Sequence, residues 1–275
     1  MKIIAIDVGG TKIKAGVVDG SKVSNVVVEK TNATGDLEDI LSQISSIVDK
    51  LMSADIEGIG LGLPSQIDSK NDEVIKTTNI PSLREFGLKG YLEEVYGLPV
   101  GIHNDTACFA LGELYFGSAK ERKSVIAVTL GTGMGVAAIN NGQIINLYGR
   151  EDVEFSDRKF LDKTFEDYCG GKYFLDKYKK DSKKMQTLAE EGDKKAIEAF
   201  SNLGKHLKEA LEILIVEHSP EIIILGGSIT NSYFLFKSEI KDLGVKVIVS
   251  KTKEPALLGA SKLVKKKKKK KNGKK

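Results

Sequence analysis

Two short glycine-centred stretches decide how this chain reads: Asp7-Val-Gly-Gly-Thr-Lys12 and Leu130-Gly-Thr-Gly-Met-Gly135. Each interrupts an apolar run, KIIAID (2–7) before the first and SVIAVTL (124–130) before the second. Each leads into another apolar run, KIKAGVV (12–18) or VAAI (136–139), which ends at Asp19-Gly20 or Asn141-Gly142. Asp-Gly and Asn-Gly between apolar runs mark two-residue hairpins, because such turns need positive φ. Strand, glycine turn, strand and hairpin therefore occur twice. Glycines at the strand-to-strand corner let backbone N–H groups approach a ligand, and a run of such groups forms an anion-binding concavity.

The rest of the chain repeats the same plan. Residues 2–28 read as three strands. Asp36 is placed to cap a helix over 37–51 whose Leu37, Ile40, Leu41, Ile44, Ile47, Val48 and Leu51 share one face. A buried strand follows at 56–64, then a polar loop with a short strand near Val74, a helix at 88–96 and a strand at 99–103. Asn104-Asp105-Thr106 caps a helix that runs to Phe116. The second half reads as strands 124–130, 135–139 and 143–147, a charged irregular stretch from 149 to 163, and helices at 164–179, 185–191 and 193–218. Strand 221–227, helix 232–242, strand 245–249 and a helix from Pro255 to 264 complete it. Strands alternating with helices imply α/β sheets with parallel pairs. The repetition implies a duplicated α/β fold of two lobes with a cleft between them. The expected division is a small lobe over 1–105 completed by helix 256–264, a large lobe over 106–255, and a disordered lysine-rich tail over 265–275.

Composition narrows the function. The net charge of +4 over 275 residues is set by nine lysines in the tail (Lys265 to Lys271, Lys274 and Lys275), and the remainder carries −5. A block of like charges repels itself and stays unfolded. No aromatic residue interleaves these lysines, so the stacking platform of a single-strand binder is missing and no specific nucleic-acid partner is expected. No apolar stretch approaches the ~18 residues needed to cross a bilayer, and no charged-then-apolar leader precedes the strand at Lys2. No membrane partner and a cytoplasmic location are expected. Cys108, Cys169, His103, His206 and His218 show no CxxC or HxxxH spacing, so neither a zinc site nor a structural disulfide is expected.

The glycine turns do not follow the commonest nucleotide motifs. GxxxxGK[ST] is absent, and Gly131 to Gly135 leads into a strand where a dinucleotide fingerprint needs a helix. Paired glycine hairpins would instead grip a polyphosphate from both sides, through Gly9, Gly10, Gly131 and Gly133. Thr11 and Thr132 offer hydroxyls to phosphate oxygens and Lys12 offers a cation. Asp7, at the end of its strand, is placed to hold Mg²⁺ directly or through water.

Five segments, DVGGTKIKAGVVD, NDTACFALGE, VTLGTGMGVAAINNGQII, EIIILGGSI and PALLGASKL, together resemble the ROK family of sugar kinases, in the same order and over most of residues 1–264. The resemblance implies the actin-like, hexokinase-type (ribonuclease H-like) fold. It implies ATP-dependent phosphorylation of a hexose or N-acetylhexosamine hydroxyl, with Mg²⁺, in a homodimer. Asp105 matches the family's catalytic base. Phosphoryl transfer needs the acceptor hydroxyl aimed in line at the γ-phosphorus and a carboxylate to take its proton. By itself Asp105 also reads as an N-cap, and a helix N-terminus favours an ionised carboxylate. Asn79 (in TTNIP) and Asn104 match asparagines that hold sugar hydroxyls, and Ser65 (in GLPS) stands where the family often has glycine. Gly226 and Gly227 resemble the loop on the adenosine side. Glu113 reads as structural.

The departures lie in one stretch. Many members carry Glu-x-Gly-His followed by a cysteine-rich zinc motif, whereas this chain has Glu154-Phe155-Ser156-Asp157. Glu154 fits the glutamate, Asp157 takes the histidine position, and the zinc cysteines are absent. Glu166, in TFEDYCGG, matches a later family glutamate. Loop 149–165 must therefore be ordered by contacts other than zinc. The alternative is a non-catalytic sugar-sensing regulator on the same fold. Family repressors carry an N-terminal helix-turn-helix, whereas this chain begins at its first strand. The presence of Asp7, Asp105 and both glycine turns favours an enzyme.

Overall fold

The computed structural model describes residues 1–68, 73–77, 79–145, 147 and 154–265. The expected tail beyond Lys265, and residues 149–153 of the loop that should choose the sugar, lie outside the described residues.

In the first half, β1 (Lys2–Val8), β2 (Lys12–Asp19) and β3 (Lys22–Lys30) form the meander, followed by α1 (Leu37–Leu51) and β4 (Ile56–Leu63). A small hairpin, β5 (Ser65–Asp68) with β6 (Glu73–Thr77), replaces the single short strand expected near Val74. Helix α2 (Leu88–Tyr96), β7 (Val100–Asn104) and α3 (Asp105–Phe116) follow. The sheet order is β3-β2-β1-β4-β7, with β2 antiparallel to its neighbours and β4 and β7 parallel to β1. The second half contains β8 (Ser124–Leu130), β9 (Met134–Asn140), β10 (Gln143–Ile145), a two-stranded ribbon of β11 (Lys159–Phe160) and β12 (Lys163–Thr164), then α4 (Phe165–Cys169), α5 (Lys172–Tyr178), α6 (Ser182–Glu190) and α7 (Lys194–His218). Strands β13 (Ile222–Gly226) and β14 (Lys246–Val249) complete a sheet of order β10-β9-β8-β13-β14. Counted within each half, the two orders are the same, and the α/β fold is duplicated.

The chain divides into two units, Met1–Gly112 with the chain from Glu254, and Glu113–Lys253. The division lies at Gly112/Glu113 and Lys253/Glu254, whereas the sequence reading places it at 105/106 and 255/256. A last helix, α8 (Pro255–Ala260), packs on β1 and β4 of the first sheet.

Local chemistry accounts for most elements. Asp36 and Asp39 form a reciprocal capping box, with Asp36 Oδ1 accepting from Asp39 N at 2.9 Å and Asp39 Oδ2 from Asp36 N at 3.3 Å. The expected stripe from Ile40 to Leu51 is buried. Asn141 and Gly142 both take positive φ, 49° and 77°, as a type I′ hairpin requires. The first hairpin differs by one residue: Asp19 pairs with Lys22, and Gly20 (φ 60°) with Ser21 makes the loop.

Two expected helices are altered. The helix over 164–179 breaks at Gly170-Gly171, where Gly171 N–H donates to the Gly131 carbonyl at 2.8 Å. The helix over 232–242 is instead a 3₁₀ segment, Ser228–Leu235. There the Thr230 hydroxyl donates to the Gly227 carbonyl at 2.7 Å and Ser232 bonds Gln186 at 2.9 Å, which draws hydroxyls into contacts that compete with a regular helix.

Helix α8 lies directly on β4, where Gly60 faces its last residue and Gly58 faces Val264 beyond it. A Cβ at Gly60 would collide with the Ala260 carbonyl, and one at Gly58 with Val264. We expect Gly60→Ala to destabilise the protein by about 1–3 kcal/mol through overpacking strain, read as a lower urea midpoint at an unchanged m-value. Wild-type stability in that variant would show that α8 does not need this approach.

Candidate active site

Parallel register assembles the first half of the site. Asp7 pairs with Gly62, and Gly62 with His103, so β1, β4 and β7 end at one level of the sheet. Open α/β sheets bind ligands at such carboxyl ends. The chain leaves β7 at Asn104 and enters α3 at once. Asn104, not Asp105, is the cap: its Oδ1 accepts from Thr106 N at 2.9 Å and Ala107 N at 3.2 Å. Its Nδ2 donates to the Ser65 carbonyl at 3.3 Å. Asp105 is the first helical residue, and its Oδ1 accepts from the Thr106 N–H at 2.7 Å and hydroxyl at 3.3 Å.

Both Asp105 and Asp7 are perturbed carboxylates. Burial, and then the charge of Asp7, push the Asp105 carboxyl up to about 7, against the bonds from Thr106. Burial pushes Asp7 up to about 6, opposed by Lys12 and Lys14, with Glu254 acting in the raising direction. Lys14 is the cross-strand partner of Asp7, and its ammonium donates to Glu254 at 2.6 Å.

The first glycine turn is pinned from behind. Gly9 N–H donates to the Lys12 carbonyl at 2.9 Å. The buried Thr31 donates its hydroxyl to the Gly9 carbonyl at 2.6 Å and its N–H to the Thr11 carbonyl at 3.0 Å. Thr11 and Lys12 are exposed, and Asn79 lies against Gly10, where a Cβ would approach the asparagine Cβ to 2.9 Å. The first unit thus brings together Asp7, Gly9, Gly10, Thr11, Lys12, Asn79, Asn104 and Asp105. Thr31, Lys14 and Glu254 were not singled out by the sequence, because no spacing rule links them to the turn.

In the second unit the glycine turn is enclosed by other glycines. Gly131 N–H donates to the Gly133 carbonyl at 3.0 Å. Gly226 pairs with Thr129, and Gly227 (φ 87°) presses on the Leu130 backbone so closely that a side chain would collide. A Cβ at Gly170 would reach the Gly133 Cα at 2.8 Å. Lys172 N–H donates to the Thr132 carbonyl at 3.2 Å. The Glu166 carboxylate lies against Gly133 and accepts from Met134 N–H. Burial pushes its carboxyl up, Lys172 pulls it down, and Asp157 raises it further.

Glu154 precedes and Asp157 ends a 3₁₀ turn, Phe155–Asp157, and Asp157 N–H donates to the Glu154 carbonyl at 3.0 Å. The described part of the loop over 149–165 is held by aromatic and ionic contacts. Phe165 stacks on Phe155 and Phe160 with centroids 5.3 and 4.4 Å apart. Arg158 covers the Phe155 ring at 4.8 Å and donates to Glu217 at 2.7 and 3.0 Å. Thr164 and Asp167 cap α4 reciprocally. His206 of α7 packs against Phe160, Tyr168 and Tyr173. Glu113 is fully buried, accepting from the Ser250 hydroxyl and from Ser118 N–H at 2.8 Å. Cys108 and Cys169 are buried free thiols.

Two α/β units of one strand order, each with a glycine turn after its first strand, define the actin-like, hexokinase-type fold. Residues 3–150 and 162–274 match the ROK family, and the chain belongs to that family. The N-acetyl-D-glucosamine kinase of Vibrio cholerae serotype O1 is 29% identical, over 92% of this chain and 93% of its own. The glucokinase of Thermotoga maritima is 24% identical, over 97% and 98%. A ROK family glucokinase from Streptomyces griseus, solved in complex with glucose and AMPPNP, matches with a TM-score of 0.82 at 25% identity, covering 96% of this chain and 99% of its own.

The perturbed carboxylate has a consequence for stability. Asp105 titrates near 7 in the fold and near 4 in the unfolded chain, so its ionised form opposes folding. The penalty is absent well below pH 4, grows as the pH rises, and is complete above about 7. We expect Asp105→Asn to raise unfolding stability at pH 8 by on the order of 1–3 kcal/mol, with the gain shrinking toward pH 4. A gain independent of pH in urea titrations would assign it to something other than the charge.

Proposed function

We propose that this protein transfers the γ-phosphoryl group of ATP to a hydroxyl of a hexose or N-acetylhexosamine, with Asp105 as general base. The observation that carries the reading is the placement of Asp105. It starts a helix that its neighbour caps, so its carboxylate is not consumed as the N-cap, and burial beside Asp7 brings its pKa close to neutrality. A base of that strength suits proton transfer at physiological pH. As the sugar oxygen bonds to the γ-phosphorus and the bond to the ADP oxygen breaks, the hydroxyl proton passes to Asp105.

The other residues bind and orient. Backbone N–H groups around Gly9, Gly10, Gly131 and Gly133, the hydroxyls of Thr11 and Thr132, and the Lys12 ammonium serve the phosphates. Gly226 and Gly227 leave room for the purine. Asn79, the second Nδ2 hydrogen of Asn104, Glu154, Asp157 and Glu166 serve the sugar hydroxyls. The donor chemistry at Asp7 fits Mg²⁺, which binds through one or two carboxylates together with substrate phosphates. Asp7 would hold the ion, directly or through water, and the ion would neutralise phosphate charge. Relatives named as N-acetyl-D-glucosamine kinase and glucokinase support this reading, and a regulator is not favoured. A cytoplasmic homodimer belongs to the same proposal; no helix among the described residues is long and apolar enough to cross a membrane.

A coupled ADP-release assay over glucose, mannose, galactose and their N-acetylamino counterparts tests it. We expect sugar-dependent ADP release, reduced at least about a hundredfold in Asp105→Asn. Silence with every sugar would refute the kinase reading, and full activity in the variant would remove Asp105 from its role. Because Asp105 must be ionised, kcat/KM should rise with pH through about 7 and then level off. A profile flat from pH 5 to 8 would contradict the assignment.

A further inference from the structure

The two glycine turns differ in charge. The first ends in Lys12, directly before Ile13, which closes the turn by pairing with Val8. The second closes with Leu130 paired to Met134 and has no cation within it. A turn meant for a polyphosphate gains from a cation as well as backbone N–H groups.

The fold brings a cation to the second turn from elsewhere in the chain. Gly170-Gly171 interrupts the helical stretch and lies on the turn, with Gly171 N–H donating to the Gly131 carbonyl at 2.8 Å and Lys172 N–H to the Thr132 carbonyl at 3.2 Å. Side chains at 170 and 171 would crowd Gly133 and Gly131, so this approach requires two glycines. Lys172 is thereby anchored by its backbone at the turn, within reach of its flexible four-carbon stem. Its ammonium stands 3.9 Å from Glu166 Oε1 and 3.5 Å from Asp167 Oδ1, and half of its side-chain surface is exposed. Those separations exceed the 2.7–3.2 Å of a direct N–H···O bond, so the ion pairs are loose. Glu166 itself abuts Gly133. Lys172 is therefore tied to the turn by its backbone and loosely paired by its side chain with the carboxylate that abuts the same turn.

We propose that Lys172 is a phosphate-binding residue of this site, contributing to the second glycine turn the cation that Lys12 contributes to the first, and contacting a terminal phosphate of the bound nucleotide. The inference rests on the kinase reading for its nucleotide. When phosphate arrives, the ammonium exchanges its loose carboxylate contacts for a charge-assisted bond to a phosphate oxygen.

Calorimetric binding of AMPPNP with Mg²⁺, ADP with Mg²⁺, and AMP to wild type, Lys172→Met and Lys172→Arg provides the test, with thermal melts confirming folding. We expect Lys172→Met to weaken AMPPNP about tenfold, to leave AMP within about twofold, and to raise the KM for ATP while the sugar KM stays nearly constant. Lys172→Arg should recover most of the loss. Equal AMPPNP binding in wild type and Lys172→Met would overturn the proposal. So would a loss as large for AMP, or an effect confined to the sugar KM, which would make the lysine a support for Glu166. Nucleotide binding by wild type without turnover of any sugar would refute the kinase reading and leave this contact standing. Wild type that binds no nucleotide would refute both.

Discussion

Two carboxylates of like charge, Asp7 and Asp105, are held within electrostatic reach of each other, both only partly exposed to solvent. The first unit is arranged around that unfavourable pair. Parallel register brings β1, β4 and β7 to a common level, which fixes where both aspartates emerge. Gly62 stands between them, and a Cβ there would approach the Asp105 Cα to 3.3 Å. Asn104 takes over the capping of α3. Lys14 sits across from Asp7 but spends its ammonium on Glu254, so a positive charge is near without closing on Asp7 as an ion pair. Each device leaves carboxylate oxygen available, at a cost in stability that the apolar core of this unit offsets. Local frustration of this kind is expected where function and stability compete.

The duplication is used asymmetrically. Superposing the two strand registers puts Thr129 at the position of Asp7, one residue before the turn is closed by Val8 with Ile13 or by Leu130 with Met134. The first turn combines a carboxylate, a cation and a threonine brace from Thr31, just after β3. The second has no charge of its own; Gly170, Gly171 and Gly227 pack on it, and the Glu166 carboxylate lies against Gly133. One copy of the motif thus carries charges within the turn, and the other meets charges brought by other segments.

What the sequence showed was local. The hairpins, the Asp36 cap, the apolar face of α1 and both glycine turns rest on neighbours a few residues apart, and periodicity and turn chemistry report such neighbours directly. What it hid depended on distant partners. The capping role passed from Asp105 to Asn104 because β7 ends one residue later than its apolar run suggests. The helix at 164–179 broke because two glycines meet a turn far back in the chain. The segment after Gly227 tightened to 3₁₀ because Thr230 and Ser232 found side-chain partners. Thr31 carries no motif at all, and its meaning comes from the Gly9 carbonyl it holds. The resemblance supplied the roles of Asp105, Asn79 and Glu154, which composition and spacing alone leave open.

The residues proposed for the sugar lie in a segment that, in its described part, is held by packing and one ion pair. A structural metal contributes its binding free energy to folding, and the segment it holds depends on its presence. Here the described part of that segment is fastened by Phe155, Phe160 and Phe165, by Arg158 on Glu217, and by His206 against Tyr168. Burial drives these contacts, with the ion pair adding direction. Phe155 sits in the core between Glu154 and Asp157, and Phe165 immediately precedes Glu166. The same rings that order the loop therefore set the spacing of its carboxylates. Under the proposed function, a change of sugar specificity need not alter one of these acids directly; repacking those rings would move all three together.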